Sequence, residues 1–235
     1  MQQQMWKQQA AEAAAELIED GMVIGIGTGT TAAFLIQAIA RRMQAGLQIK
    51  AAISTSQASA RLAQSLNIPL STLEAYPEID IDIDGADEID EHLYLIKGGG
   101  GALLREKIVA SASRQFIIIA DATKQVTRLG THFPLPIEVV PFALPTVRHR
   151  LKGLGAQVEQ RMAGENAFIT DNANIILDCR FPEGISDPQA LQETLCHIVG
   201  IVETGLFLNL ATGAVIAGPA GVQHFQAPAS SARRL

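Results

Sequence analysis

The sequence predicts an α/β protein, in which a Rossmann-like parallel-sheet domain is joined to a smaller ferredoxin-like α+β domain of βαββαβ order. Two observations carry that prediction. Through the first half, short apolar runs alternate with amphipathic stretches, as the strands and helices of a sheet covered on both faces do. After Lys124 the alternation stops, and Pro134, Pro136, Pro141 and Pro145 interrupt any helix.

Taken in order, Gln8 to Glu19 is alanine-rich and reads as a helix closed by Asp20-Gly21, and Met22 to Ile26 reads as a buried strand. A glycine-rich turn follows. Thr31 to Gln44 is helical, with Phe34, Leu35, Ala38 and Ile39 on one stripe, and Leu47 to Ile53 is a second strand. Ser56 to Leu66 gives another helix. The series continues with the strand Ile79 to Asp84, the helix Gly101 to Ser113 and the strand Phe116 to Ala120. A boundary near Gly130 assigns residues 1–130 and 208–235 to the Rossmann-like domain and 131–207 to the ferredoxin-like one. The latter reads as strand Ile137 to Val140, helix Pro145 to Gly153, strand Gln157 to Arg161, turn, strand Asn174 to Cys179, helix Pro188 to Val199 and strand Ile201 to Phe207. Ser186-Asp187-Pro188-Gln189 starts its second helix with a capping hydroxyl and a first-turn proline. Ala214 to Ala217 returns one more strand to the first sheet, and the tail from Gln226 to Leu235 is small, polar and expected to fray.

A chain of 235 residues, 48% hydrophobic and 18% charged, can bury a large core. Met1 to Asp20 contains Lys7 as its only basic residue and no apolar run long enough for a signal peptide or a membrane span, so the expected location is cytoplasmic, without a membrane partner. The net charge of −6 and the absence of a basic cluster interleaved with aromatics argue against a nucleic-acid partner. Cys179 and Cys196 form no CxxC pair, so reduced thiols are expected and no zinc site is indicated. His92, His132, His149, His197 and His224 are scattered without ligand spacing.

Three stretches bear chemistry. Gly25-Ile26-Gly27-Thr28-Gly29-Thr30-Thr31 lies between a strand and a helix, where free N–H groups and the helix dipole favour an anion. The dinucleotide fingerprint would require glycine at Thr30 and an acidic residue where Ser54-Thr55-Ser56 stand, so NAD is disfavoured. A tight turn that needs glycine, with threonine as helix cap, accounts for the same residues. In Ile79 to Glu88, carboxylates concentrate at a strand end, placing Asp84 and Asp87 where parallel sheets bind ligands. A Mg²⁺ site and a solvated acidic loop also fit that spacing.

Lys97-Gly98-Gly99-Gly100-Gly101 sits inside a domain, where such glycines point to close backbone approach to a ligand rather than to a linker. On the helix that follows, Leu103, Glu106 and Ala110 share a face, which sets a carboxylate on a partly apolar stripe. A general base requires such a setting, and an exposed Glu paired with a neighbouring Lys or Arg is the alternative. Asp121 and Lys124 lie just past a strand, and Lys124 can reach a phosphate or carbonyl oxygen as a point charge.

GIGTGTT, DGADEID, KGGGGALLREK, IADATKQV and FPLPIEVVP, in that order over nearly the whole chain, resemble type A ribose-5-phosphate isomerase. The resemblance implies interconversion of ribose 5-phosphate and ribulose 5-phosphate through an enediol in the non-oxidative pentose phosphate pathway, by a homodimer with no cofactor or metal. It implies that Glu106 is the base and that Asp84, Asp87 and Lys97 surround the reacting end of the sugar. Thr28, Gly29, Thr30, Thr31 and Lys124 then bind substrate, with Lys7 near the phosphate and backbone from Gly85, Ala86, Gly98, Gly99 and Gly100 lining the site. Thr30 stands where serine is usual, and Gly101 where alanine is common. A sugar-phosphate sensor would need an attached helix-turn-helix, for which the acidic N-terminal stretch is too short. A nucleotide-dependent oxidoreductase or a CoA transferase on a related sheet is the other rival.

Overall fold

The computed structural model describes residues 1–227. Its first half runs α1 (Gln2–Ala15), β1 (Val23–Ile26), α2 (Thr30–Gln44), β2 (Ala51–Ser54), α3 (Gln57–Ser65), β3 (Ile79–Gly85), β4 (Glu88–Ile89), β5 (Leu95–Ile96), α4 (Leu103–Ser111) and β6 (Ser113–Asp121). The second half runs β7 (Leu135–Val139), α5 (Leu144–Gly153), β8 (Gln157–Gln160), β9 (Met162–Ala163), β10 (Asn166–Ala167), β11 (Ile175–Arg180), α6 (Pro188–Cys196), β12 (Ile201–Thr204), β13 (Leu206–Phe207), β14 (Gly213–Gly218) and β15 (Gly221–Gln226). Among the described residues, no helix is long and apolar enough to cross a membrane.

The chain divides into two compact units. The first takes Met1–Ala86, Arg105–Lys124 and, among the described residues, 209–227; the second takes Asp87–Leu104 and Gln125–Leu208. Asp87–Leu104 therefore leaves the contiguous N-terminal stretch to which chain order assigns it. The reason is pairing: β4 and β5 join β13 in a small antiparallel sheet instead of extending the large one.

In the first unit the sheet order is β15-β14-β6-β3-β1-β2, parallel except for β15, which is antiparallel to β14. β1, β2 and β14 read as apolar runs because both faces are covered, whereas β3 alternates Ile with Asp and the edge strand β15 is largely exposed. Ile24, Ile26, Ile81, Ile83, Ile117 and Ile119 are buried together with Leu35 and Ile39 of α2 and with Ala10, Ala11, Ala14 and Ala15 of α1. Alanines at those positions let α1 lie close to the sheet. That helix begins earlier and ends sooner than Gln8 to Glu19, because nothing between Gln2 and Gln8 breaks it and past Ala15 the bonding tightens to i→i−3 turns, Leu17 N–H to Ala14 O and Ile18 N–H to Ala15 O. The strand expected over Leu47 to Ile53 is confined to Ala51–Ser54. Gln226 is the last residue of β15, and the rest of the tail, residues 228–235, lies outside the described residues.

In the second unit the four-stranded sheet has the order β12-β7-β11-β8, every neighbouring pair antiparallel, as a βαββαβ unit requires. Leu135, Ile137, Val139, Leu177, Val147, Leu151 and Leu195 form its core. Three local expectations are corrected. The turn between β8 and β11 holds a hairpin, β9 with β10. The N-cap of α6 is the Asp187 carboxylate, which accepts the Ala190 N–H at 2.9 Å, rather than a serine hydroxyl. The run Ile201 to Phe207 breaks at Gly205 into β12 and β13, because Gly205 N–H donates to Pro136 O while its carbonyl accepts from Lys97 N.

Cys179 is 1% exposed in β11, and burial, with a smaller effect from the Asp178 charge, pushes its thiol up to about 12. Cys196 is exposed. Iodoacetamide at neutral pH should therefore modify Cys196 in the native protein and reach Cys179 only after denaturation, as mass spectrometry of the two peptides would show. Equal native labelling of both would contradict this packing of β11.

Candidate active site

In the large sheet, β1 lies between β2 and β3, so successive connections leave it toward opposite edges. Such a reversal opens a crevice beyond the carboxyl ends of the strands, where ligands of open α/β sheets bind. The turn Gly27 to Thr31 follows β1, and Asp84 lies near the end of β3, so both reach that crevice.

Asp84 is buried and its Oδ1 accepts the N–H of Thr28 at 3.0 Å and of Gly85 at 2.7 Å. A Cβ on Gly27 would stand 1.9 Å from that oxygen, so only glycine lets the turn close over the carboxylate. The Thr28 hydroxyl lies 2.7 Å from that of Thr55, which itself donates to Ile26 O at 3.2 Å. Thr28 is therefore the donor of the pair, since Thr55 has one proton to give. Gly29 caps α2 with φ 104°, and no side chain caps that helix, which leaves its first N–H groups and the positive end of its dipole to an anion. Lys7 of α1 places Nζ 3.1 Å from Thr30 Oγ1.

Glu106 sits in the first turn of α4 and is 3% exposed. Leu103, Val109 and Ala110 of the same helix are buried, whereas Ile108 is exposed, so the carboxylate does lie on the apolar face. Lys124 ends a short 3-10 turn, Ala122–Lys124, directly after β6. Asp121 anchors that turn by accepting the Thr123 N–H at 3.1 Å and, through both oxygens, the Gln3 amide at 3.3 Å.

The second unit holds Asp87, Lys97 and the glycine loop. Asp87 fixes its backbone through N–H to Ile96 O at 2.8 Å, and its Oδ2 accepts the Gly99 N–H at 2.7 Å. Lys97 follows β5, is 2% exposed, and sets Nζ 5.5 Å from the centre of the Phe207 ring. Its backbone N–H donates to Gly205 O at 2.9 Å, and a Cβ on Gly205 would lie 2.4 Å from Lys97 O. Gly98 has φ 100°, while Gly99 and Gly100 are exposed.

The acidic stretch is thereby resolved into separate tasks. Asp80 accepts the Val23 N–H at 2.8 Å, Asp84 and Asp87 take the amides just described, and Asp90 accepts those of His92 and Tyr94 at 2.9 Å. Glu88 accepts from Gly130 and His132 at 2.6 Å and from Phe133 at 2.7 Å. Among the described residues, no group of three or more His, Cys, Asp or Glu could hold a metal ion. Sequence reasoning assigned no ligand role to Thr55 or Gly205. The strand-end rule that found Asp84 applies equally to Thr55, at the end of β2, whereas nothing local marks Gly205.

The family model described as ribose 5-phosphate isomerase A (phosphoriboisomerase A) matches residues 51–221. A ribose-5-phosphate isomerase A of Roseiflexus castenholzii is 47% identical over 99% of this chain and 100% of its own length. The enzyme of that name from a Synechococcus strain is 52% identical over 92% and 95%. A solved D-ribose-5-phosphate isomerase in complex with phospho-erythronic acid superposes with a TM-score of 0.92 at 37% identity, covering 96% of this chain and all of that one.

The close approach at Gly27 gives a direct test. Gly27→Ala should lower the unfolding free energy by roughly 2 kcal/mol or more, since the added methyl must push Asp84 off its amides. Gly153→Ala, where a Cβ meets nothing within 4 Å, should change it by no more than about 0.5 kcal/mol. Urea titration of the two variants checks this, and equal midpoints would remove the steric account of the turn.

Proposed function

Since the chain belongs to the ribose 5-phosphate isomerase A family and interconverts ribose 5-phosphate and ribulose 5-phosphate, we propose that Glu106 is the base that carries the proton between C2 and C1. The observation behind this is the burial of Glu106 in the first turn of α4, five residues after the glycine loop ends at Gly101. A carboxylate shielded from water, on a rigid helix, can lose and regain one proton without exchanging it at every step.

In the direction from aldose to ketose, Glu106 removes the proton on C2 while O1 is protonated, which gives the cis-enediol. The O2 proton then leaves, and Glu106 returns its proton to C1. No atom is gained or lost. Lys97 steadies the charge that develops on the oxygens, for which a nearly buried ammonium is suited. Asp84 and Asp87 handle the hydroxyl and ring-oxygen protons when the cyclic sugar opens. Their bonds to backbone amides support this reading, because they aim the carboxylates before substrate arrives.

Thr28, Gly29, Thr30, Thr31, Lys7 and Lys124 hold the phosphate in this scheme, with Gly85, Ala86, Gly98, Gly99 and Gly100 offering backbone to the sugar. Support comes from the uncapped start of α2 and from Lys7 against Thr30. Holding the phosphate far from the reacting carbons turns binding energy into register. The family resemblance further supports a cytoplasmic homodimer that serves the non-oxidative pentose phosphate pathway without a cofactor or metal.

Glu106→Gln keeps the shape and hydrogen bonding of the side chain but removes the base. It should lower kcat by roughly 10²- to 10⁴-fold while leaving affinity for ribose 5-phosphate within about tenfold. Exchange of solvent deuterium into C2 should fall in parallel, and near-normal exchange would move the base to another carboxylate. Turnover should also survive exhaustive EDTA treatment, because Asp80, Asp84, Asp87 and Glu88 each direct an oxygen at backbone amides. Loss of activity restored by Mg²⁺ or Mn²⁺ would reverse the assignment of Asp84 and Asp87.

A further inference from the structure

We propose that Arg161 is a positioning residue for the isomerisation: from the base of the β9–β10 hairpin it fixes the glycine loop, and through it Asp87 and Lys97. The proposal rests on the roles assigned above to those two residues.

One turn bond closes within the glycine loop, Gly101 N–H to Gly98 O at 3.0 Å. Gly98 and Gly101 adopt φ values of 100° and 81°, and Cβ atoms at Gly98 and Gly99 would lie 2.8 Å from Leu103 and 2.6 Å from Asp87. Glycine is therefore required on steric grounds, but a run of glycines also has the most backbone freedom to lose. A single turn bond leaves much of that freedom, so further restraint has to come from outside the loop.

Arg161 supplies it. Its Nη1 donates to Gly98 O at 2.6 Å and to Gly99 O at 3.1 Å. Nε and Nη2 grip both carboxylate oxygens of Asp178 on β11, so the guanidinium is held as a fork in a fixed plane. The two side chains are 14% and 20% exposed, which limits the competition from water. Arg161 itself is tied down by N–H to Ile176 O and by its carbonyl, which accepts from Phe168 N, each at 2.9 Å. Phe168, the hairpin's other basal residue, packs its ring so closely on Gly101 that a Cβ there would be 2.3 Å from Cζ. One hairpin thus holds the loop at both ends.

The peptide group between Gly98 and Gly99 links this clamp to the site. Its carbonyl accepts from Arg161, and its N–H donates to Asp87 Oδ2 at 2.7 Å. Because the group is planar, fixing the carbonyl fixes the direction of the N–H on the other side. A cation on the oxygen also polarises the amide and strengthens its bond to the carboxylate. Lysine could not replace this geometry, since a point charge cannot bond Asp178 through two atoms and the loop carbonyls at the same time.

The test compares full-length Arg161→Gln, Arg161→Lys and Lys97→Met proteins with the parent, using ribose 5-phosphate kinetics and amide hydrogen exchange. Arg161→Gln should lower kcat by about tenfold or more with KM within about threefold, and Arg161→Lys should restore only a small part of the loss. Exchange in the peptide spanning residues 97–103 should quicken by about tenfold while β1 keeps its protection. If Lys97→Met loses kcat but both Arg161 variants keep it within about twofold, the clamp is overturned while the site assignment stands. A Lys97→Met protein with normal kcat would overturn the site assignment, and the clamp with it. Should Arg161→Gln not fold, Phe168→Leu takes its place with the same two readouts, and unchanged kcat and loop exchange would overturn the proposal.

Discussion

The bond between the Asp84 carboxylate and the backbone N–H groups of Thr28 and Gly85 is the interaction on which the sheet end of the site depends. It ties the turn after β1 to the end of β3 at the point where the sheet's connections diverge. Burying a carboxylate is costly unless donors meet it, and amides freed by a tight turn are such donors. The same contact dictates Gly27, since any side chain there would occupy the space of the carboxylate. One interaction therefore sets the turn conformation, the start of α2 and the aim of an acidic group.

The second unit uses the same device with different parts. Glu88 gathers three amides from residues 130–133, and Asp87 takes one from the glycine loop. Each carboxylate orders a stretch of chain that lacks regular hydrogen bonding of its own. A high local density of acidic residues thus serves in part as a set of anchors for loops. For an isomerase that moves protons and no other atoms, donors and acceptors held in advance are the main requirement.

Flexibility and restraint are balanced residue by residue. Glycines at 27, 98, 99, 101 and 205 give the backbone the approaches it needs, and each has a neighbour that would clash with a Cβ. The freedom they add to the unfolded chain is countered by side chains far away in sequence: Asp84 for the first turn, Arg161 and Phe168 for the loop.

The sequence by itself determined the two-part α/β architecture and most of the helices and strands, because periodicity and glycine or proline punctuation are local signals. It also singled out the residues proposed here for the chemistry, since a glycine turn, an acidic strand end and a helical Glu are each visible within about ten residues, whereas the burial of Glu106 came only with the fold. Tertiary structure alone decided the rest. Two-residue strands such as β4, β5 and β13 are too short to show a period, and the break at Gly205 is set by Lys97 and Pro136, distant in the chain. Arg161 reaches Gly98 across 63 positions, and nothing near either residue in the sequence announces the other. Propensity acts between neighbours, whereas a hydrogen bond or a steric exclusion joins whichever groups the fold brings within a few ångströms.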